Sequence, residues 1–282
     1  MRLLLCLIAG FVVALTQIGI GNAAPARVVS MNLCTDQLAM LLAAEGQLVS
    51  VSYLARDERS SAMARQAQNY PVNHGLAEEI FLLKPDLVIA GQFTSQTTVS
   101  MLKRLGMPVA IMSPAYALDD VRDRITEMGR HLGRERKAAE LIAAFDAGLV
   151  ALRDTSAKHS RRRPRAAVYA ASGYVSGPES LSGAILDAAG FDNVAREAGV
   201  PVGGLLPLEQ LVLLNPDLVV LPTPWPGASR SEEVLGHPAL LALQDRTAAA
   251  PLTDRDWICG TPRVLNAIAS LVNVRKKISE AP

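Results

Sequence analysis

The sequence predicts an α/β protein: two lobes with parallel sheets, joined by one long backbone helix. Three observations carry this. The segment Glu78 to Ile89 (EEIFLLKPDLVI) returns as Glu209 to Val220 (EQLVLLNPDLVV), in register at an offset of 131 residues. Each copy sits in an alternation of short strand-like and helix-like segments, the pattern of a parallel sheet with helical crossovers. Between the copies runs Arg134 to Lys158, whose Ala138, Leu141, Ile142, Phe145, Leu149 and Leu152 recur at steps of three and four along one helical face. No Pro interrupts that stretch, and Gly148 is its only weak helix former.

The chain has 282 residues, half of them hydrophobic and a fifth charged, enough for two lobes with substantial cores. Lys plus Arg is 28 and Asp plus Glu is 27, so no nucleic-acid surface is expected. The basic run Arg161 to Arg165 reads as a solvated turn between helix and strand. Residues 1–26 read as an export signal: Arg2, an apolar run from Leu3 to Leu15, then small-residue cleavage sites at Gly21-Asn22-Ala23 or Ala24-Pro25-Ala26. The run is short for a membrane span. The expected product is a soluble periplasmic protein with an N-terminal lobe at 27–133, a backbone helix at 134–160 and a C-terminal lobe at 161–282. Removal of the signal takes Cys6 with it and leaves Cys34 and Cys259, in a compartment that permits disulfides.

Taken in order, lobe one begins with a strand at 27–31 and a helix at 32–44, N-capped by Asn32 or Thr35. A strand at 48–53 follows. Residues 54–72 are polar and read as a loop with at most a short helix. Asn73-His74-Gly75 turns into a helix at 77–83, Lys84-Pro85-Asp86 turns again, and 87–90 is a strand, apolar without alternation as in parallel sheets. A helix at 97–105, a strand at 109–112 and a helix at 118–132 complete the lobe. Lobe two repeats the scheme. Strand 166–171 leads to a Gly-rich turn at 173–177 and a helix at 180–189. The duplicated helix at 207–214 and strand at 218–221 follow, then a loop from Pro222 to Gly227 that three prolines keep irregular. A short helix at 237–243, a strand at 249–252, a loop at 253–261 and a closing helix at 262–277 end the chain.

No catalytic motif is present: no Gly-x-Ser-x-Gly, no phosphate-binding loop with Lys and no HExxH. His74, His131, His159 and His237 lack metal-ligand spacing. No enzyme, cofactor or resident metal is therefore expected. Glu78 and Glu79 are neighbours about 100° apart on a helix and do not form an acid/base couple. Glu78 and Glu209 occupy matched places in the two copies. The helix dipole accounts for each singly, but the matched pair suits docking onto a partner with two basic pockets. Only 4% of residues are aromatic, and Tyr53, Tyr174, Trp225 and Trp257 fall on predicted strand-to-helix loops. In open α/β sheets such loops line the ligand crevice. Arg56 and Arg263 are candidates to hold an anionic ligand group.

Together the signal segment, the duplicated lobes, the single spine and the motifs Ser30-Met31-Asn32, Glu78 to Gly91, Glu209 to Leu221 and Asp256-Trp257 through Thr261-Pro262-Arg263 resemble the helical-backbone periplasmic binding proteins. That family serves ABC importers of ferric siderophores, haem and cobalamin. The resemblance implies two Rossmann-like lobes around a ligand cleft. The ligand would be a metal chelate, either a ferric siderophore or cobalamin (a corrinoid), with haem as the alternative. It implies a ligand set of Tyr53, Arg56, His74, Tyr174, Trp225, Asp256, Trp257 and Arg263, and docking of Glu78 and Glu209 onto arginines of the two importer membrane subunits. A monomer with small lobe closure is expected. Cobalamin binders carry a Trp just before the duplicated helix; His74 stands there instead, able to ligate cobalt or iron or to donate a hydrogen bond. A two-lobed metal-cluster enzyme is the rival reading, but it needs clustered Cys in each lobe. For Cys34 and Cys259 three readings stay open: buried thiols, soft metal ligands, or a disulfide between lobes whose turns both face the cleft.

Overall fold

Lobe one is built on five short parallel strands. In chain order come β1 (Val28–Ser30), α1 (Leu33–Leu42), β2 (Leu48–Ser52), α2 (Ala64–Ala67), β3 (Val72–Asn73), α3 (Ala77–Leu82), β4 (Leu87–Gly91), α4 (Gln96–Arg104), β5 (Val109–Met112) and α5 (Leu118–Leu132). The strands lie in the order β3-β2-β1-β4-β5. Of the two candidate caps of α1 it is Asn32 whose side chain accepts, from the Cys34 N–H. The backbone helix, α6 (Glu135–Ala157), follows α5 after Gly133, which closes α5 in the left-handed region. The computed structural model describes residues 23–159, 162–223, 227, 229–252 and 254–280. Residues 1–22 of the expected signal lie outside them. Among the described residues no helix is long and apolar enough to cross a membrane.

Lobe two comprises β6 (Arg165–Val168), β7 (Tyr174–Ser176), α7 (Leu181–Ala188), β8 (Asp192–Asn193), β9 (Gly203–Leu205), α8 (Leu208–Leu214), β10 (Leu218–Pro222), α9 (Pro238–Gln244), β11 (Ala248–Leu252), α10 (Asp254–Trp257) and α11 (Val264–Glu280). Its main sheet runs β11-β10-β6-β8, all parallel, and β7 pairs with β9 antiparallel. The sheet is lobe one's, short of one edge strand. The duplicated strands β4 and β10 occupy the same place, each between the first strand of its lobe and the last.

The repeated Pro-Asp explains why both copies keep their form. Asp86 Oδ2 accepts from the backbone N–H groups of Ala26 and Arg27, and Asp217 Oδ2 from that of Arg165. In return Arg27 donates to the carbonyls of Leu83 and Lys84, and Arg165 to those of Leu214 and Asn215. The C-terminal carbonyls left free by α3 and α8 are thereby satisfied from the neighbouring strand. Lys84 (φ 48°) and Asn215 (φ 44°) sit left-handed at the equivalent point of both copies.

One core runs through both lobes. Leu38, Ile125 and Met128 of lobe one, Phe145 and Leu149 of α6, and Ile185, Leu218 and Ile268 of lobe two belong to a single buried cluster. Gly148 permits it: a Cβ there would meet Leu265 of α11 at 2.8 Å. Separate clusters cover the outer sheet faces, one beneath α3 and α4 (Ile80, Val99, Leu102) and one beneath α8 and α9 (Leu211, Leu240, Leu243). Each lobe is thus a three-layer sandwich that shares its inner layer.

Some segments expected as loops carry structure. The 54–72 stretch contains a 3₁₀ turn at Tyr53–Arg56, α2, and the start of β3; the 173–177 turn contains β7; the 253–261 loop contains α10. Strands of two or three residues leave no periodicity to read. β3 is held instead by one side chain: the Asn73 amide donates to the carbonyls of Ser30 and Val51.

Candidate ligand cleft

The parallel register decides which residues meet at the strand ends of lobe one. Val51 pairs with Val72 and Ser52 with Asn73, so the next residues out, Tyr53 and His74, stand side by side about one strand spacing apart. Their rings stack, with centroids 5.5 Å apart and planes 22° from parallel. Tyr53 is 52% exposed, and His74 is exposed as well. Glu79 fixes the imidazole: its Oε1 lies 3.0 Å from Nδ1, and its Oε2 accepts from the His74 backbone N–H at 2.7 Å. That backbone donation first, and the ring second, hold the Glu79 carboxyl below its usual range. Nε2 is then the ring nitrogen left for a ligand.

Below this platform lies a buried polar layer. Ser52 donates to Asp36 through both its N–H and Oγ, Ser30 Oγ is 2.7 Å from Thr35 Oγ1, and the Asn73 amide also reaches Ser50 Oγ. Burial pushes the Asp36 carboxyl up to about 6 against the lowering effect of these hydrogen bonds. The layer ties β1, β2 and β3 together where Tyr53 and His74 emerge.

Two cavities open between the lobes. One, of about 430 Å³, is polar: Arg65 and Glu58 face it from lobe one, and Arg255, Asp256, Arg263 and Asn266 from lobe two. Asp256 is buried and accepts from the Asn266 amide at 3.1 Å, which fixes it in the wall. Arg263 Nε is buried without a hydrogen-bond partner, so this guanidinium retains donor capacity for an anion. The other cavity, of about 310 Å³, is largely apolar and is lined among others by Leu38, Phe93, Met112 and Ile258. Phe93 and Ile258 went unnoticed in the sequence, yet both are well exposed. The repeat held the clue, because Phe93 falls 131 residues before Pro224, beside Trp225.

Two expected ligand residues are placed elsewhere. Trp257 is 6% exposed and belongs to the shared core; the helical turn of α10 rolls the indole inward, where a loop would have left it free. Arg56 donates to the carbonyls of Ala67, Gln68 and Tyr70. It caps the C-terminal end of α2 inside lobe one through Nε and Nη2. Tyr174 is exposed at the start of β7, its hydroxyl lying over Gly203 across the antiparallel pair. Trp225 lies outside the described residues.

Cys34 and Cys259 are joined as a disulfide, with Cα atoms 5.1 Å apart and 225 residues between them. The bond ties the N-terminus of α1 to the turn after α10, and Cys34 forms part of the apolar cavity wall. Nearby, Thr261 Oγ1 approaches Gln37 Oε1 at 3.4 Å, and further out Arg59 donates to the Thr223 carbonyl. Among the described residues no group of three or more His, Cys, Asp or Glu is placed to hold a metal ion. Glu78 and Glu209 are both exposed in the first turns of α3 and α8.

The chain belongs to the periplasmic binding protein family, whose model matches residues 28–240. It is 28% identical over 200 residues to a cobalamin-binding protein of Halobacterium salinarum, covering 71% of this chain and 54% of that one. It is 26% identical over 142 residues to the ferric enterobactin-binding periplasmic protein FepB of Escherichia coli, covering 49% and 44%. The chain thus spans about half the length of the curated relatives it matches. Among solved structures, the periplasmic heme-binding protein RhuT of Roseiflexus superposes with a TM-score of 0.75 at 22% identity, over 90% of this chain and 99% of that one. The vitamin B12 binding protein BtuF of Vibrio cholerae gives 0.68 at 19%, over 92% and 99%. At these identities the two structures speak for the fold alone.

Proposed function

We propose that this protein is a periplasmic receptor, exported through its N-terminal segment and acting as a monomer. It captures a metal chelate, a ferric siderophore or cobalamin (a corrinoid), between its lobes and delivers it to the membrane subunits of an ABC importer. The observation that carries the proposal is the exposed Tyr53–His74 stack at the strand ends of lobe one. A flat, braced aromatic pair matches the flat face of a chelate, and the cavity with Arg65, Arg255 and Arg263 suits its anionic substituents. Relatives named for cobalamin and for ferric enterobactin support the same class of ligand. Haem is the second reading, favoured by His74: a carboxylate on Nδ1 orients imidazoles that bind metal through Nε2.

Titration with cyanocobalamin, a ferric catecholate, a ferric hydroxamate and haemin, followed by absorbance and tryptophan fluorescence, tests the reading. One of the four should bind at micromolar affinity or better, and Tyr53→Ala with His74→Ala should weaken it about 10- to 100-fold. Binding of none would overturn the proposal. A shifted Soret band that His74→Ala abolishes would select haem. Glu78 and Glu209 serve docking, as matched charges that steer and register a partner. Glu78→Arg with Glu209→Arg should abolish uptake and leave chelate affinity unchanged.

A further inference from the structure

The Arg and Asp clamps explain the Pro-Asp half of the repeated segment, and Ile80 and Leu211 are buried in the outer cores. Leu83 and Leu214 pack half-buried against the same cores. One repeated position has no such task. Leu82 is 76% exposed and Leu213 is 84% exposed, and they are separated by the same 131 residues. With Phe93 they are the most exposed large apolar side chains among the described residues. Each lies four residues after the acid of its copy, on the same helical face as Glu78 or Glu209. The helices that contact α3 and α8 also expose apolar side chains, Met101 on α4 with Leu105 just after it, and Leu241 on α9.

We infer that Leu82 and Leu213 enter two equivalent apolar pockets on a two-fold symmetric pair of importer membrane subunits, beside the basic groups that meet Glu78 and Glu209. The inference rests on the docking reading above and adds an apolar half to it. One acid and one leucine, set identically on two lobes of a single chain, require a partner that offers the complementary site twice. A pair of identical subunits does so by its symmetry. The acid argues against a lipid surface as occupant, because a carboxylate beside each leucine is repelled by anionic headgroups. A small apolar anchor with a charge at its rim is the usual anatomy of a protein contact.

The test uses the full mature protein and its cognate ABC importer in lipid nanodiscs. Leu82→Ala, Leu213→Ala, their combination and the Glu78→Arg with Glu209→Arg pair are compared. Binding to the importer, thermal melting, chelate affinity and sedimentation are recorded for each. Each single leucine variant should weaken docking about 5- to 10-fold and the double variant at least about 30-fold, with melting and chelate affinity unchanged. If the double leucine variant docks like the parent while the glutamate pair does not, the inference fails and the docking reading stands. Normal docking by both would sink the docking reading itself. An effect confined to one leucine would refute the two-fold argument. A parent protein that dimerises, and that either alanine makes monomeric, would show the occupant to be a second copy of this chain and overturn the inference.

Discussion

Removing the bond between Cys34 and Cys259 perturbs the fold at one defined point. The bond closes a loop of 225 residues. In the chain-entropy model such a loop restricts the unfolded chain by about 5 kcal/mol at 25 °C. The folded state should change little on reduction, because the two lobes already share the core around Phe145, Leu149 and Ile268. The loss therefore appears as lower stability with an unchanged fold. With a guanidinium slope of roughly 5 kcal/mol per M for a chain of this length, the unfolding midpoint should fall by about 1 M. The assay is guanidinium unfolding of the mature protein, with and without reductant, beside Cys34→Ser with Cys259→Ser. The oxidised protein, unfolded without reductant, should show no free thiol. Two free thiols, or a midpoint that reductant does not move, would refute the reasoning.

Further outcomes follow from the same structure. Trp257→Ala should cost about 3–5 kcal/mol of stability, read by urea unfolding; lost chelate binding at unchanged stability would return the indole to the cleft. Asp36 gives a pH dependence whose sign is fixed. Its folded value of about 6 lies above the ordinary carboxylate value, so the native state holds a proton that the unfolded chain has released. Its contribution is present below pH ~4 and is lost as the pH rises through ~6, a fall of roughly 3 kcal/mol. Asp36→Asn should flatten that slope in unfolding measurements from pH 4 to 7, and a slope unchanged in the variant would discount Asp36 as its source. Lys84→Asn, which gives the first copy the residue of the second at the same left-handed position, should raise stability by about 0.5–1 kcal/mol. A lower melting temperature would show that Lys84 has a role beyond its backbone.

The two-lobed α/β plan was legible because its signals are long. A twelve-residue segment repeated in register and a 23-residue helix with an apolar stripe leave little freedom. The cleft was legible only in part, and the reason is physical. Tyr53 and His74 were each named, but their stacking depends on β3, two residues long and held by the Asn73 side chain. The carbonyl partners of Arg56 were not legible, because a carbonyl capped by a side chain leaves no mark on the sequence. The burial of Trp257 was not legible because a single helical turn decides whether the ring faces solvent or core. Phe93 was overlooked although the repeat matches it in sequence to Pro224. Of the paired cysteines, the sequence supplied the residues and the compartment; the 5.1 Å approach of their Cα atoms needed the fold.

The shared core bears on how far the two lobes can move. Residues of α1, α5, α6, α7 and α11 pack in one cluster, and the disulfide spans the lobes beside it. Packed interiors have discrete arrangements and resist continuous bending. Rotating one lobe about α6 would have to open contacts such as Gly148 against Leu265 or strain the disulfide at Cys34. Small lobe closures at most are therefore expected, with α3 and α8 at a nearly fixed separation; a large fall in the radius of gyration on ligand binding, read by solution scattering, would refute this. A partner docked as proposed on Glu78, Leu82, Glu209 and Leu213 would then have little large-scale motion to read. One hydrogen bond crosses between the lobes on this side: Arg59 donates to the Thr223 carbonyl. That hydrogen bond joins lobe one to the end of β10, the strand that follows α8, so a ligand that displaces Arg59 acts on the element next to the docking helix.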